Sequence, residues 1–177
     1  MNRKEFLRGC AGGLCACAAF ALIKPAAASN VARNAASERD AFIKERYAKL
    51  WEILPSHMSE TDCVDTLRRL GQFCATAYDT DFAAHRGDVE GYADLLRAGG
   101  FAVTEDRGAI TVSSTKWTGC ACPLSGRASE TPGIVCNCSA GWWTHAWESV
   151  MQRKVQVTVK ETFLRGGDRC TMEIRPV

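Results

Sequence analysis

Two cysteine doublets carry the densest chemistry in this sequence. Cys120-Ala121-Cys122 and Cys136-Asn137-Cys138 are separated by thirteen residues that include Ser125-Gly126 and Pro132-Gly133. Such a loop is long enough to bring the doublets together. Four thiolates converging from two segments would hold zinc or another thiolate-bound metal, which makes Cys120, Cys122, Cys136 and Cys138 candidate metal ligands. The usual zinc spacing is C-x-x-C, in which two intervening residues let both sulfurs turn toward one ion; C-x-C is tighter. The alternatives are disulfides between the doublets, each contributing roughly 2–4 kcal/mol, and free reactive thiols. On the residues alone all three stand.

Cys138 directly precedes Ser139, the expected N-cap of a helix running to about Met151. A thiolate at a helix N-terminus is stabilised by unpaired N–H groups and the macrodipole, so Cys138 is the candidate nucleophile. At 100° per residue Cys138, Trp142, His145 and Ser149 share one side of that helix. Trp143, Trp147, Val150 and Met151 take the opposite, core-facing side. His145 is the candidate proton carrier, although seven residues at 1.5 Å place its Cα about 10 Å from that of Cys138. The two are expected to line one pocket without touching, or to lie on a solvated face.

A carboxylate sits in an apolar row further on. Val155, Val157, Val159, Glu161 and Phe163 alternate with polar residues, and a lone acid on a core-facing row is costly unless paired. Either a bulge turns Glu161 outward, or it points into a ligand site with a raised pKa. Cys170 begins the matching inward row Cys170, Met172, Ile174, as a core residue or beside the same cavity.

The elements that must position these residues follow from pattern. Ser37 reads as an N-cap, and Phe42, Ile43, Tyr47, Leu50, Trp51 and Leu54 recur at helical spacing until Pro55-Ser56. A second helix starts at Ser59 with the stripe Cys63, Leu67, Leu70, Cys74 and Ala77, in which the two cysteines read as core residues. A third runs from Asp88 to a Gly99-Gly100 cap. Phe101–Glu105 and Ala109–Ser113 flank Asp106-Arg107-Gly108 as a hairpin, and Lys154–Leu164 with Arg169–Arg175 form a second. Helices precede antiparallel strands with no βαβ rhythm, so the class is α+β.

Residues 1–28 read as an export leader: a basic start (Arg3, Lys4, Arg8), an apolar run from Gly9 to Ile23 and small residues at Ala26 and Ala28. The segment Arg3-Lys4-Glu5-Phe6-Leu7-Arg8 is similar to the twin-arginine motif, and the ordinary secretory route is the alternative. The mature protein is then expected to start near Ser29, in the periplasm or outside the cell. A linker at 29–36 precedes one domain at 37–177, with no membrane span in the mature chain. Of the 22 basic and 20 acidic residues, 18 and 19 remain after the leader, and seven of the ten cysteines. A near-neutral chain without a basic run argues against a nucleic-acid partner. An odd cysteine count outside the cytoplasm leaves at least one thiol unpaired within the chain.

The order CxCPLS, then CxCSxGW opening a helix, then V-x-V-x-V-x-E-T, a glycine turn and Cys170 resembles the L-2-amino-thiazoline-4-carboxylic acid hydrolase-like family. More distantly it resembles 4-vinyl-reductase-type ligand-binding domains. The likeness spans roughly residues 88–176. It implies hydrolytic opening of a small cyclic amidine, with attack by Cys138 or by a metal-activated water. His145 or Glu161 would then move protons, and Trp142 and Trp117, with Cys170, would wall the substrate. The alternative is a non-catalytic module that binds a small, largely apolar ligand, its cysteines held by metal or disulfides.

Overall fold

The computed structural model describes residues 25–122, 125 and 131–177, so the leader's basic start and apolar run lie outside the described residues. The chain divides into two compact units, 1–42 and 43–177. In the first, the described residues are helical.

Helix α1, Pro25–His57, begins before the expected Ser37 cap and takes in the expected linker at 29–36. Alanine-rich sequence has the highest intrinsic helix propensity, which local polarity at Ser29-Asn30 does not override. Pro55 falls within its last turn rather than ending it. The stripe expected to face a core is mostly outside: Ile43, Tyr47 and Leu50 are exposed, while Ala48 and Trp51 are buried. Helix α2, Glu60–Ala75, is capped by Ser59, whose hydroxyl accepts from the Asp62 amide at 3.1 Å. A 3-10 turn leads to the short α3, Asp79–Ala84. Helix α4, Val89–Gly99, starts on Asp88, whose carboxylate accepts from the Gly91 amide at 2.9 Å. It stops at Gly100, where φ is 98°.

Strands β1, Phe101–Asp106, and β2, Ala109–Ser114, are joined by Arg107-Gly108 at φ 50° and 74°. A two-residue turn with both φ positive matches the strand twist. Helix α5, Cys136–Met151, follows a 3-10 turn at Gly133–Val135. Strands β3, Val155–Glu161, and β4, Thr171–Pro176, complete one antiparallel sheet in the order β1-β2-β4-β3. The fold is α+β: helices, then a sheet built from two hairpins with one helix between them. Val155 and Val157 are buried and Gln156, Thr158 and Lys160 exposed, as the alternation requires.

Helix α5 is central. Ala140, Trp143, Trp147 and Val150 pack on Val112, Val157 and Ile174 of the sheet in the main core. Its other side meets α2 backbone to backbone. A methyl at Gly71 would lie 2.8 Å from the Trp142 nitrogen, and one at Gly141 would lie 2.7 Å from the Arg68 carbonyl carbon. Only a residue without Cβ permits that approach. A smaller core of Trp51, Cys63, Leu67, Val135 and Cys138 fills the space among α1, α2 and the start of α5. Among the described residues no helix is long and apolar enough to cross a membrane.

Candidate functional site

The start of α5 fixes the cysteines. The helix opens at Cys136, with Val135 as N-cap and no side-chain cap. Ser139 is therefore an interior residue, and Cys138 occupies the third helical position instead of standing ahead of the cap. Its side chain enters the small core and is 7% exposed. Burial, then the neighbouring Cys122 and Cys74, push its thiol up to about 12. This reverses the expected activation: the cost of desolvating a thiolate exceeds the benefit of the helix terminus.

Cys136 points elsewhere. Two residues along an α-helix rotate a side chain by about 200°, so the pair diverges. Cys136 is buried, and its S–H donates to the Thr162 hydroxyl at 3.1 Å. Burial raises its pKa, with the Thr162 bond and the Arg165 charge pulling the other way. Cys170 is half-buried, and its thiol is likewise pushed up, first by burial; the Phe163 backbone bond opposes this, while Cys120, Cys136 and Glu161 add to it.

Among the described residues no group of three or more His, Cys, Asp or Glu side chains is placed to hold a metal ion. The reason is angular: a C-x-C doublet inside a helix aims its sulfurs apart, and a tetrahedral ion needs them to converge. Cys120, Cys122, Cys136 and Cys138 therefore do not fit zinc as one ligand set.

The other candidate residues are also separated. Glu161 follows a register shift after Val159, and its carboxylate accepts from the Asp168 amide at 2.8 Å. A methyl at Gly167 would meet the Glu161 side chain, so the acid folds over the glycine turn. Glu161 is a turn-capping residue. His145 Nε2 lies 2.6 Å from Asp79 Oδ1 on α3, a bond that ties α5 to α3 rather than to a sulfur. Cys63 is buried as expected, but Cys74, expected in the core, is exposed.

The tryptophans do assemble. Trp117 stands edge-on to Phe101 at 5.0 Å, Phe101 to Trp143 at 5.5 Å, and Trp143 to Trp142 at 4.9 Å. Trp142 continues to Phe82 at 5.5 Å and Tyr78 at 5.8 Å. Edge-to-face contacts at such centroid distances are favourable beyond their burial. The row joins the end of β2's following segment to α3, with Trp117 39% and Tyr78 49% exposed at its two ends. Trp142 and Trp117, expected as an apolar wall, thus belong to one chain of ring contacts that passes through the buried Trp143 and Phe82. Phe82, Tyr78 and Phe101 were not singled out from sequence, because they are contributed by three other elements.

No family model matches the chain, and no curated protein does. Among solved structures it is similar to the crystal structure of a trafficking protein particle complex subunit 3 from Naegleria fowleri covalently bound to palmitic acid. The TM-score is 0.53 at 14% identity, covering 80% of this chain and 96% of that one. A likeness at this identity concerns the fold.

Proposed function

We propose that this chain is a non-catalytic binding module for a small, largely apolar ligand, working outside the cytoplasm with its aromatic row as the recognition surface. The observation that carries the reading is the dispersal of the would-be catalytic groups. Cys138 is buried with its thiol at about 12, His145 is engaged by Asp79, and Glu161 by the Asp168 amide. A nucleophile and its base need hydrogen-bond reach of one another and of a substrate. Cys138 is enclosed in the small core, and the other two have other partners.

The two exposed ends of the row, at Trp117 and Tyr78, support an apolar ligand, since aromatic rings backed by the core offer contact area without buried charge. The structural neighbour's covalent palmitic acid supports an acyl chain as the first probe. Titrating palmitate into the protein while following tryptophan fluorescence tests this. The expected result is saturable binding weakened at least tenfold by Trp142→Ala, with no turnover of 2-aminothiazoline-4-carboxylate. Turnover abolished by Cys138→Ser would return the hydrolase reading, and an unchanged spectrum at saturating palmitate would reject the apolar ligand.

A further inference from the structure

The cysteines sort into two groups on opposite sides of α5. On one side, Cys136 meets Thr162 at 3.1 Å. Thr162 follows Glu161, whose cross-strand partner is Thr171, so Cys170 is the residue next across from it. The Cys170 backbone is clipped to the end of β2: its amide donates to the Ser114 hydroxyl at 3.0 Å, and the Ser114 amide donates to its carbonyl at 2.9 Å. Ser114 begins the six-residue step to Cys120, along which Trp117 is docked on Phe101 at 5.0 Å. Cys120, Cys136 and Cys170 thus gather at one end of the sheet, with Cys120 within electrostatic reach of both others and Cys136 within reach of Cys170.

On the other side, the Cys138 carbonyl lies against Gly71 of α2. Cys74 follows one turn later, on nearly the same face of that helix. Cys74 and Cys122 are the electrostatic neighbours of the Cys138 thiol. The Cys122 carbonyl accepts from the Ser125 amide and hydroxyl at 3.0 and 2.7 Å. Each doublet therefore sends one cysteine to each side of α5.

We propose that oxidation of this chain forms disulfides only within these groups, one among Cys120, Cys136 and Cys170 and one among Cys74, Cys122 and Cys138. The segment after β2 is then fastened to both sides of α5. Within each group the link between doublets comes first, Cys120 to Cys136 and Cys122 to Cys138, and the third thiol serves as exchange partner. The oxidant is a low-molecular-weight or enzyme-borne disulfide. The half-exposed thiolate of Cys120 or Cys122 attacks one of its sulfurs, breaking the S–S bond and releasing one thiol. The buried cysteine, losing its proton, then attacks the mixed disulfide and releases the second thiol. Two protein thiols lose two electrons, and the external disulfide gains them as two thiols. The inference holds whatever ligand the domain takes.

The test is to oxidise the reduced full chain with glutathione disulfide, alkylate, and map cross-linked peptides by mass spectrometry without reduction. The expected map joins Cys120 to Cys136 or Cys170 and Cys122 to Cys138 or Cys74. Any of four results overturns the proposal: links crossing the groups, links within a doublet, links to Cys63, or an oxidised protein in which these six cysteines are still alkylated. In Cys136→Ser the Cys120 link is expected to pass to Cys170 while the Cys122 link is unchanged. Capture of Cys120 by Cys138 in that variant is equally fatal. The wild-type map decides the matter if the variant does not fold.

Discussion

In the reduced, folded protein, alkylation of Cys138 is expected to run at least about 30-fold slower than that of Cys74. With its thiol pushed up to about 12, about one Cys138 side chain in ten thousand is a thiolate at pH 8, against roughly one in five to ten for an ordinary cysteine. That is a deficit of about a thousandfold. A more basic thiolate is intrinsically the better nucleophile, and a Brønsted slope of about 0.4–0.5 returns roughly 20–30-fold over three pKa units. The net penalty is about 30–50-fold from ionisation, before access is counted. Access lowers it further, because Cys138 is 7% exposed and packed in the core with Trp51 and Leu67. Timed iodoacetamide labelling at pH 8, with the peptides quantified by mass spectrometry, reads both sites in one sample, and Cys74, which is exposed, serves as the internal standard. The Cys138 rate should keep rising with pH through 10 without a plateau, and should approach that of Cys74 in urea. Labelling of native Cys138 as fast as Cys74, or a plateau below pH 8, would mean that the helix terminus has outweighed burial. The nucleophile would then be restored.

The same burial gives the alkaline limb of stability a sign. Below about pH 8.5 both folded and unfolded Cys138 keep their protons; between there and the folded value near 12 only the unfolded chain loses them, so stability falls by about 1.4 kcal/mol per pH unit for this group. Urea midpoints at pH 8, 9 and 10 should decline, and Cys138→Ala should flatten the decline; parallel curves would refute it. Gly141→Ala places a methyl 2.7 Å from the Arg68 carbonyl carbon and closer still to its oxygen, so the α2 and α5 backbones must part. Overpacking of about 1–3 kcal/mol or more should exceed the helix-propensity gain of about 1 kcal/mol, lowering Tm by several degrees in a thermal melt. Gly99→Ala is the control: its methyl would meet nothing nearer than the Phe101 ring at 4.0 Å, so it should be neutral or stabilising. A Gly141→Ala protein as stable as the parent would mean the helices are not in backbone contact.

Where a signal was local and chemically specific, the sequence was readable. Asp88 and Gly100 bracket α4, with the aspartate accepting from Gly91 and the glycine at φ 98°. Arg107-Gly108 turns the first hairpin, and the valine alternation orients β3. The bulge at Glu161 was one of two readings, and only the cross-strand register decides it. Helix α5 was found, but its start was not, because Ser139 has the chemistry of a cap while the structure uses Val135 after a 3-10 turn. A signal was present in Gly71 and Gly141: glycine inside a helical pattern often marks a close approach. The pair Asp79 and His145, 66 residues apart, left no trace in spacing.

That shift of four residues in the helix cap, from Ser139 to Val135, decides the chemistry. With Ser139 as cap, Cys136 and Cys138 would lie in irregular chain, free to turn toward one ion or toward a substrate. With Cys136 as the first helical residue, the 200° between them becomes fixed. One sulfur goes to Thr162 and the sheet end, the other to α2 and the small core. A C-x-x-C in the same place would rotate by 300° and keep both sulfurs on one side. Inserting one residue between Cys136 and Cys138 therefore changes more than length: it brings the two sulfurs to a common face. The single intervening residue, Asn137, is what divides these cysteines into two groups. Its amide, donating to the Ile134 carbonyl at 2.9 Å, helps hold the turn that makes the division rigid.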